Sequence, residues 1–315
     1  YDLDNLLQGS HNQLLFSYFI LFFIWRLEVG LELLVDVRFI QALDYYAIIK
    51  SYHQHTIGKR FMKKSITLIG NGNMALSIAK GLQKHYTIEV VGRNMDRLNT
   101  FETKLETPIE KHLLDGFNMD DKNIILCFKP YNVEEIGNKL KGKARLLTSI
   151  LAGTKLETIA QHIKAAFYIR AMPNLGASVG ASMTTVTGNV EHKEEALHLF
   201  DAIGETLWLN SEQEIDIATA LAGSGPAYLA MVAQALSDGG VKEGLKREDA
   251  DRLMQGLFKG FGELIRHEEA PHIKNSVMSP AGTTAYGCYA LEKAGIKAAF
   301  MDAVSCAYKR AKELS

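Results

Sequence analysis

ITLIGNGNMA, Ile66 to Ala75, is a short apolar run that ends on Gly70, meets a second glycine at Gly72 and passes into small and apolar residues. Met74, Ile78, Ala79 and Leu82 then recur at helical spacing, so the stretch predicts strand, tight turn and helix. Gly70 permits the turn. Gly72 removes a side chain where a ligand has to approach the main chain, and the small Ala75 lets the helix lie close to the sheet. The first amides of a helix have no intrahelical acceptor and sit at the positive end of its dipole, so the natural visitor to this turn is a pyrophosphate. With a strand before it and a helix after it, the turn predicts a dinucleotide site.

The pattern continues outward from there. Further strands are expected at Ile88–Gly92, Asn123–Phe128, Leu146–Ile150 and Phe167–Met172, with helical stretches between several of them. Such alternation predicts a mostly parallel sheet covered by helices. From Glu214 onward only helical patterns follow, punctuated by Gly239-Gly240, Pro271, Ser279-Pro280 and Gly295. PAYLAMVAQALSDGG opens on Pro226, suited to a first turn, and closes on a glycine pair suited to a helix end. Its Leu229, Val232, Ala233 and Leu236 form an apolar stripe that reads as core or subunit contact. No HExxH and no GxSxG occurs in this part.

Composition bounds the partners. The chain has 315 residues, 47% hydrophobic and 23% charged, with formal net charge -1, enough for two cores and without the basic excess that a nucleic-acid surface requires. Cys127, Cys288 and Cys306 form no CxxC and cannot all pair, which predicts a reducing, cytoplasmic setting and three small buried apolar side chains. Residues 1–61 differ from the rest. Leu14 to Trp25 is almost wholly apolar but shorter than the roughly 20 residues that span a bilayer, and no basic stretch precedes it. MKKSITLIGNG from Met62 reads as a start running into a first strand, so 1–61 is expected to be a non-catalytic extension, a fusion remnant or an added anchor. The HQH at His53–His55 lacks further ligands at metal spacing and reads as surface.

Two details point to the chemistry. An NAD-selective site puts a carboxylate at the end of its second strand, whereas this chain has Gly92, Arg93 and Asn94 there. A guanidinium matches a phosphate, so NADPH is expected, with NADH as an alternative and a solvated loop arginine as the plain reading of Arg93. In the helical part, SPAGTTAYGCYALEKAG, Ser279–Gly295, reads as a capping serine, a proline at the first helical position and then Gly282, Thr283 and Thr284. So small a helix start can hold a carboxylate on its amides while a threonine hydroxyl meets a second polar atom.

In this order, GNGNMA, CFKP (Cys127–Pro130), AMPN (Ala171–Asn174), AGSGPAY (Ala222–Tyr228), DGGVKEGL (Asp238–Leu245) and SPAGTTAYGCYALEKAG resemble pyrroline-5-carboxylate reductase over Met62 to Ser315. The resemblance implies an α/β Rossmann domain over 62–211 and an all-α substrate-binding and dimerisation domain over 212–315. It also implies NAD(P)H-dependent reduction of 1-pyrroline-5-carboxylate to L-proline, the last step of proline biosynthesis, by a homodimer or higher homo-oligomer that needs neither metal, membrane nor nucleic acid. By position, Gly70, Gly72, Asn73 and Met74 would line the pyrophosphate turn, Arg93 and Asn94 the adenosine end, Lys129 and Pro130 the flank, and Met172, Pro173 and Asn174 the nicotinamide. Ser279, Gly282, Thr283 and Thr284 would hold the substrate, with Thr284 beside the ring nitrogen as the catalytic hydroxyl. Leu175 and Gly176 depart from the family's usual Thr-Pro, and Met278 and Ala281 stand where serine and glycine are frequent. A related imine or hydroxy-acid reductase and a silent NADPH-binding protein are the rival readings.

Overall fold

The structure, a computed structural model, describes residues 64–314. The expectations for 1–61, the apolar run and the HQH triplet lie outside the described residues. Eight strands, β1 (Ser65–Ile69), β2 (Thr87–Gly92), β3 (Glu110–Leu113), β4 (Asn123–Leu126), β5 (Ala144–Ser149), β6 (Ala165–Met172), β7 (Ser182–Gly188) and β8 (Gly204–Trp208), form one sheet in the order β3-β2-β1-β4-β5-β6-β7-β8. All neighbours run parallel except β6 and β7. The helices α1 (Asn73–Leu82), α2 (Met95–Glu102), α3 (Val133–Gly137), α4 (Leu156–His162) and α5 (Lys193–Asp201) link these strands.

Successive residues explain why this sheet is covered on both sides. Leu68, Val90, Ile125 and Leu146 pack with Ile78 and Leu82 of α1 and Phe200 of α5, while their neighbours Ile69, Val91, Ile124 and Leu147 pack with Ile136 of α3 and Ile159 of α4. Alternate side chains point to opposite faces, so both positions are apolar only where both faces are dry. That is why five strands read as mostly apolar runs in the sequence. Three strands do not read that way: β3 is a polar edge, β7 buries Thr184, Thr185 and Thr187, and β8 exposes Glu205 and Leu207. One buried carboxylate also lies in this sheet. Glu89 of β2 accepts from Lys122 Nζ at 2.7 Å and from Thr67 Oγ1 at 2.9 Å.

Beyond β8 only helices follow: α6 (Glu212–Ala218), α7 (Gly225–Lys242), α8 (Arg247–His267), α9 (Ala270–Val277), α10 (Thr283–Lys293) and α11 (Ile296–Leu314). Ser211 caps α6 by accepting from Glu214 N at 3.2 Å, and Glu214 in turn accepts from Asn210 N at 2.8 Å, a reciprocal arrangement that starts the helix sharply. A π-helical segment, Thr219–Gly223, joins α6 to α7 without a break. The wide turn loosens the backbone bonding. Asn174 Nδ2 donates to Ala222 O at 3.1 Å and so braces this segment against the loop after β6.

One tie between sheet and helices is a buried ion pair. Arg170 of β6 has no exposed surface; its Nη2 donates to Asp216 Oδ1 of α6 at 2.5 Å, and Glu212 Oε1 stands 3.4 Å from Nη1 while accepting from Leu156 N at 2.9 Å.

Two helix-end readings are corrected. The Gly239-Gly240 pair lies inside α7, which runs to Lys242 and is followed by Gly244 at φ 109°. Ser279 does not cap α10, whose N-cap is Gly282. Ala281 takes the left-handed conformation at φ 57°, which breaks any helical continuation from Pro280. The cysteine reading is corrected too: Cys127 and Cys288 are half-buried and Cys306 is exposed, and all three are free thiols.

Candidate active site

β1 lies between β2 and β4, so the chain leaves the sheet centre in two directions and opens a crevice at the carboxyl ends of the strands. A cleft of about 810 Å³ occupies that place. Its walls are the ends of five strands: Ile69 to Met74 after β1, Val91 to Asn94 after β2, Cys127 to Pro130 after β4, Ile150 to Ala152 after β5, and Met172 with Pro173 after β6.

The glycine turn forms the floor. Gly70 has φ 116°, and a Cβ there would lie 2.5 Å from Cys127 O, so only glycine lets the ends of β1 and β4 approach this closely. Gly72 differs: it is the N-cap of α1 at φ -81°, no side chain caps that helix, and a Cβ there would meet nothing within 4 Å. Leu76 N makes the first turn's bond to Gly72 O at 3.0 Å, which leaves the amides ahead of it without intrahelical acceptors. Open space in front of uncapped amides fits a phosphate group, both in shape and in charge.

The other expected residues sort by place. Gly70, Gly72, Asn73, Met74, Arg93, Asn94, Lys129, Pro130, Met172 and Pro173 all line the cleft. Asn174 does not. Its Oδ1 accepts from Gly176 N at 3.0 Å and its Nδ2 is engaged by Ala222 O, so it shapes the loop that carries Met172 and Pro173. Asn94 lines the cleft and also caps α2 by accepting from Arg97 N at 3.0 Å. Arg97 and Asn132 line the cleft as well and were not anticipated; an arginine four residues beyond Arg93, on the first turn of the following helix, was the signal for the former. Burial pushes the Cys127 thiol well above its ordinary value, which favours the protonated, weakly nucleophilic form.

Ser279, Gly282, Thr283 and Thr284 are brought together, but away from the cleft. They form a compact turn in which Gly282 N donates to Ser279 O at 3.0 Å and α10 begins uncapped by any side chain. Ser279 and Thr283 are exposed, Gly282 and Thr284 half-buried. The start of α10 thus shares with that of α1 a glycine N-cap and the lack of a side-chain cap.

Residues 212–314 match the family described as pyrroline-5-carboxylate reductase dimerisation, and residues 65–153 match that described as NADP oxidoreductase, coenzyme F420-dependent. The chain is 36% identical over 266 residues to pyrroline-5-carboxylate reductase of Synechocystis, covering 80% of this chain and 99% of that one. It is 32% identical over 247 residues to that of Helicobacter pylori strain J99, covering 76% and 95%. Among solved structures, pyrroline-5-carboxylate reductase from Coxiella burnetii superposes with TM-score 0.68 at 29% identity over 80% of this chain and 99% of the other. The Plasmodium falciparum pyrroline carboxylate reductase with NADP bound gives TM-score 0.66 at 26% identity over 79% and 99%.

Proposed function

The chain belongs to the pyrroline-5-carboxylate reductase family, and we propose that its catalytic site is assembled from the strand-end cleft of one copy and the α10 start of another. The reaction is reduction of the C=N bond of 1-pyrroline-5-carboxylate to give L-proline, the closing step of proline biosynthesis. The observation that carries the split site is that the cleft holds no residue of the Ser279–Thr284 turn, although both ends display the amides that such a reaction needs.

NAD(P)H, when bound, supplies the hydride. The amides at Gly72, Asn73 and Met74 would hold its pyrophosphate, Arg93 and Asn94 the adenosine end, and Lys129, Pro130, Met172 and Pro173 the walls along which it lies. NADPH is the expected form, because a guanidinium and not a carboxylate follows β2. The remaining task of the protein is to place an electrophilic carbon against that donor and exclude water. Amides at Gly282 and Thr283 with the Ser279 hydroxyl would take the substrate carboxylate, and the Thr284 hydroxyl would sit at the ring nitrogen. A protonated imine is already electrophilic, so no strong acid is required there.

The helical region's exposed apolar residues support a homodimer or a larger homo-oligomer. The continuous helix Glu212–Lys242 is long and apolar enough to cross a membrane by length and composition. Asp216 on it is instead ion-paired to the sheet, which favours docking against protein. Three free thiols support a reducing, cytoplasmic setting.

Mixing the protein with 1-pyrroline-5-carboxylate and each nicotinamide cofactor, and following absorbance of the reduced ring, tests the activity. The expected result is cofactor oxidation with formation of proline, and Thr284→Val should keep cofactor binding while lowering kcat by roughly 10-fold to 100-fold. Turnover of other imines or hydroxy acids in preference to this one would move the chain to a related reductase. Wild-type kinetics in Thr284→Val would remove that hydroxyl from the mechanism.

A further inference from the structure

The cation expected at the adenosine end is already engaged. Arg93 Nη2 lies 2.9 Å from Glu135 Oε2, and both side chains are about half exposed at 51% and 48%. Glu135 stands on α3, directly after the Lys129–Asn132 wall of the cleft, and its other oxygen is 3.5 Å from Lys139 Nζ, itself 3.4 Å from Asp115. A carboxylate is therefore held against Arg93, behind the residues that line the cleft, delivered from the element after β4.

We propose that Glu135 is a selectivity-determining residue that lowers this chain's preference for NADPH over NADH. The inference rests on NAD(P)H binding in the cleft. A 2′-phosphate carries about -1.5 to -2 charges and recognises Arg93 only by displacing or sharing the guanidinium that Glu135 holds, while facing that carboxylate at close range. A dinucleotide with a free 2′-hydroxyl disturbs no ion pair and finds an acceptor beside it. Lys139 weakens the repulsion without removing it, since it is itself shared with Asp115. Arg97 supplies a second cation on the same wall, so NADPH still binds. The chain thus combines the cation of an NADP site with the carboxylate of an NAD site, and the two cancel in part.

The test measures binding by calorimetry with two fragments lacking the nicotinamide, ADP-ribose and 2′-phospho-ADP-ribose, alongside NADH and NADPH, in wild type, Glu135→Gln, Glu135→Asp and Arg93→Gln. Glu135→Gln should raise the affinity ratio of the 2′-phosphorylated over the plain fragment by roughly 5-fold to 10-fold, mostly through the phosphorylated one, with the gain shrinking as salt is added. Glu135→Asp, too short to hold Arg93, should move the ratio the same way by less, and Arg93→Gln the opposite way. Because both side chains are half exposed, the variants keep the wild-type fold, which circular dichroism checks. A ratio changed less than about twofold, or an equal gain for both fragments, would overturn the selectivity role while leaving cofactor binding intact. No binding of any of the four ligands to wild type would overturn the cofactor reading and this inference with it.

Discussion

The sheet region and the helical region bury their apolar residues to very different degrees. Between Ile66 and Ala220 the chain encloses two apolar clusters, whereas beyond Gly225 the only buried apolar residues among those described are Ala250, Ile273 and Ala311. The helices instead present Leu229, Met231, Leu253, Leu257, Phe261 and Met301 to the outside. Leu253, Leu257, Phe261 and Leu264 recur at helical spacing on α8 and form one stripe. A soluble chain does not leave so large a continuous apolar face uncovered, so the two regions teach different lessons: the sheet is finished within one copy, and the helical part is finished by another. Of the expected apolar stripe on α7, Leu229 and Leu236 are exposed and Val232 and Ala233 half-buried, so none of it is buried within one copy.

The largest effect expected from this contrast is on assembly. Leu257→Asp combined with Phe261→Asp should turn the oligomer into monomers and cost on the order of 100-fold or more in activity, while dinucleotide affinity changes little; sedimentation and binding on the same sample read both. An oligomer that survives the two charges would break the comparison. Next in size is the ionic tie between the regions. Asp216→Ala leaves Arg170 buried with its main partner gone and should destabilise the chain by about 3–5 kcal/mol in urea unfolding.

Within the sheet region, the two glycines of the turn should separate cleanly. Gly72→Ala has room and an ordinary φ, so its melting temperature should stay close to wild type while NAD(P)H binding weakens roughly 10-fold or more, because the methyl takes the space of the phosphate. Gly70→Ala, by contrast, should lose stability first, from a strained φ and the clash with Cys127 O.

The smallest predicted effect is on acid stability. Burial alone would raise the pKa of Glu89, but hydrogen bonds from Lys122 and Thr67, with the charges of Lys122 and His112, hold it below the ordinary 4.5. A carboxylate with a lowered folded pKa stabilises the fold above its unfolded value and loses that contribution as pH falls through the folded one. Stability should thus fall below about pH 4.5, and Glu89→Gln should flatten this slope while costing about 1–3 kcal/mol at neutral pH. An unchanged slope would assign acid unfolding to other carboxylates.

How much of this the sequence disclosed follows from the same physics. β1, β2, β4, β5 and β6 were legible because strands covered on both faces are mostly apolar, and the glycine turn was legible because Gly70 takes a backbone conformation that only glycine fits there. The strands β3, β7 and β8 were not. β7 buries threonines, which read as polar, and β8 exposes every second residue, Glu205 and Leu207, in a run too short to separate from a loop. Cleft residues near Gly70 and Arg93 followed from local motifs. Glu135 did not, since its meaning comes from standing 2.9 Å from Arg93 across 42 positions of chain, and no local pattern carries that. Likewise, the start of α10 was misplaced because Ala281 adopts a conformation that alanine seldom takes.

The claim that one copy's cleft works with another copy's α10 start is tested most directly by mixing two crippled chains. Gly72→Glu, which puts a charge where the phosphate binds, should be nearly inactive alone, and Thr284→Val should keep about a tenth of wild-type activity or less. If the site is shared between copies, a hybrid dimer contains one site with an intact cleft and an intact turn, and random mixing should restore about a quarter of wild-type activity. If cleft and turn of the same chain work together, every site in every hybrid carries a defect, and activity that stays at the level of the separate variants would contradict the account.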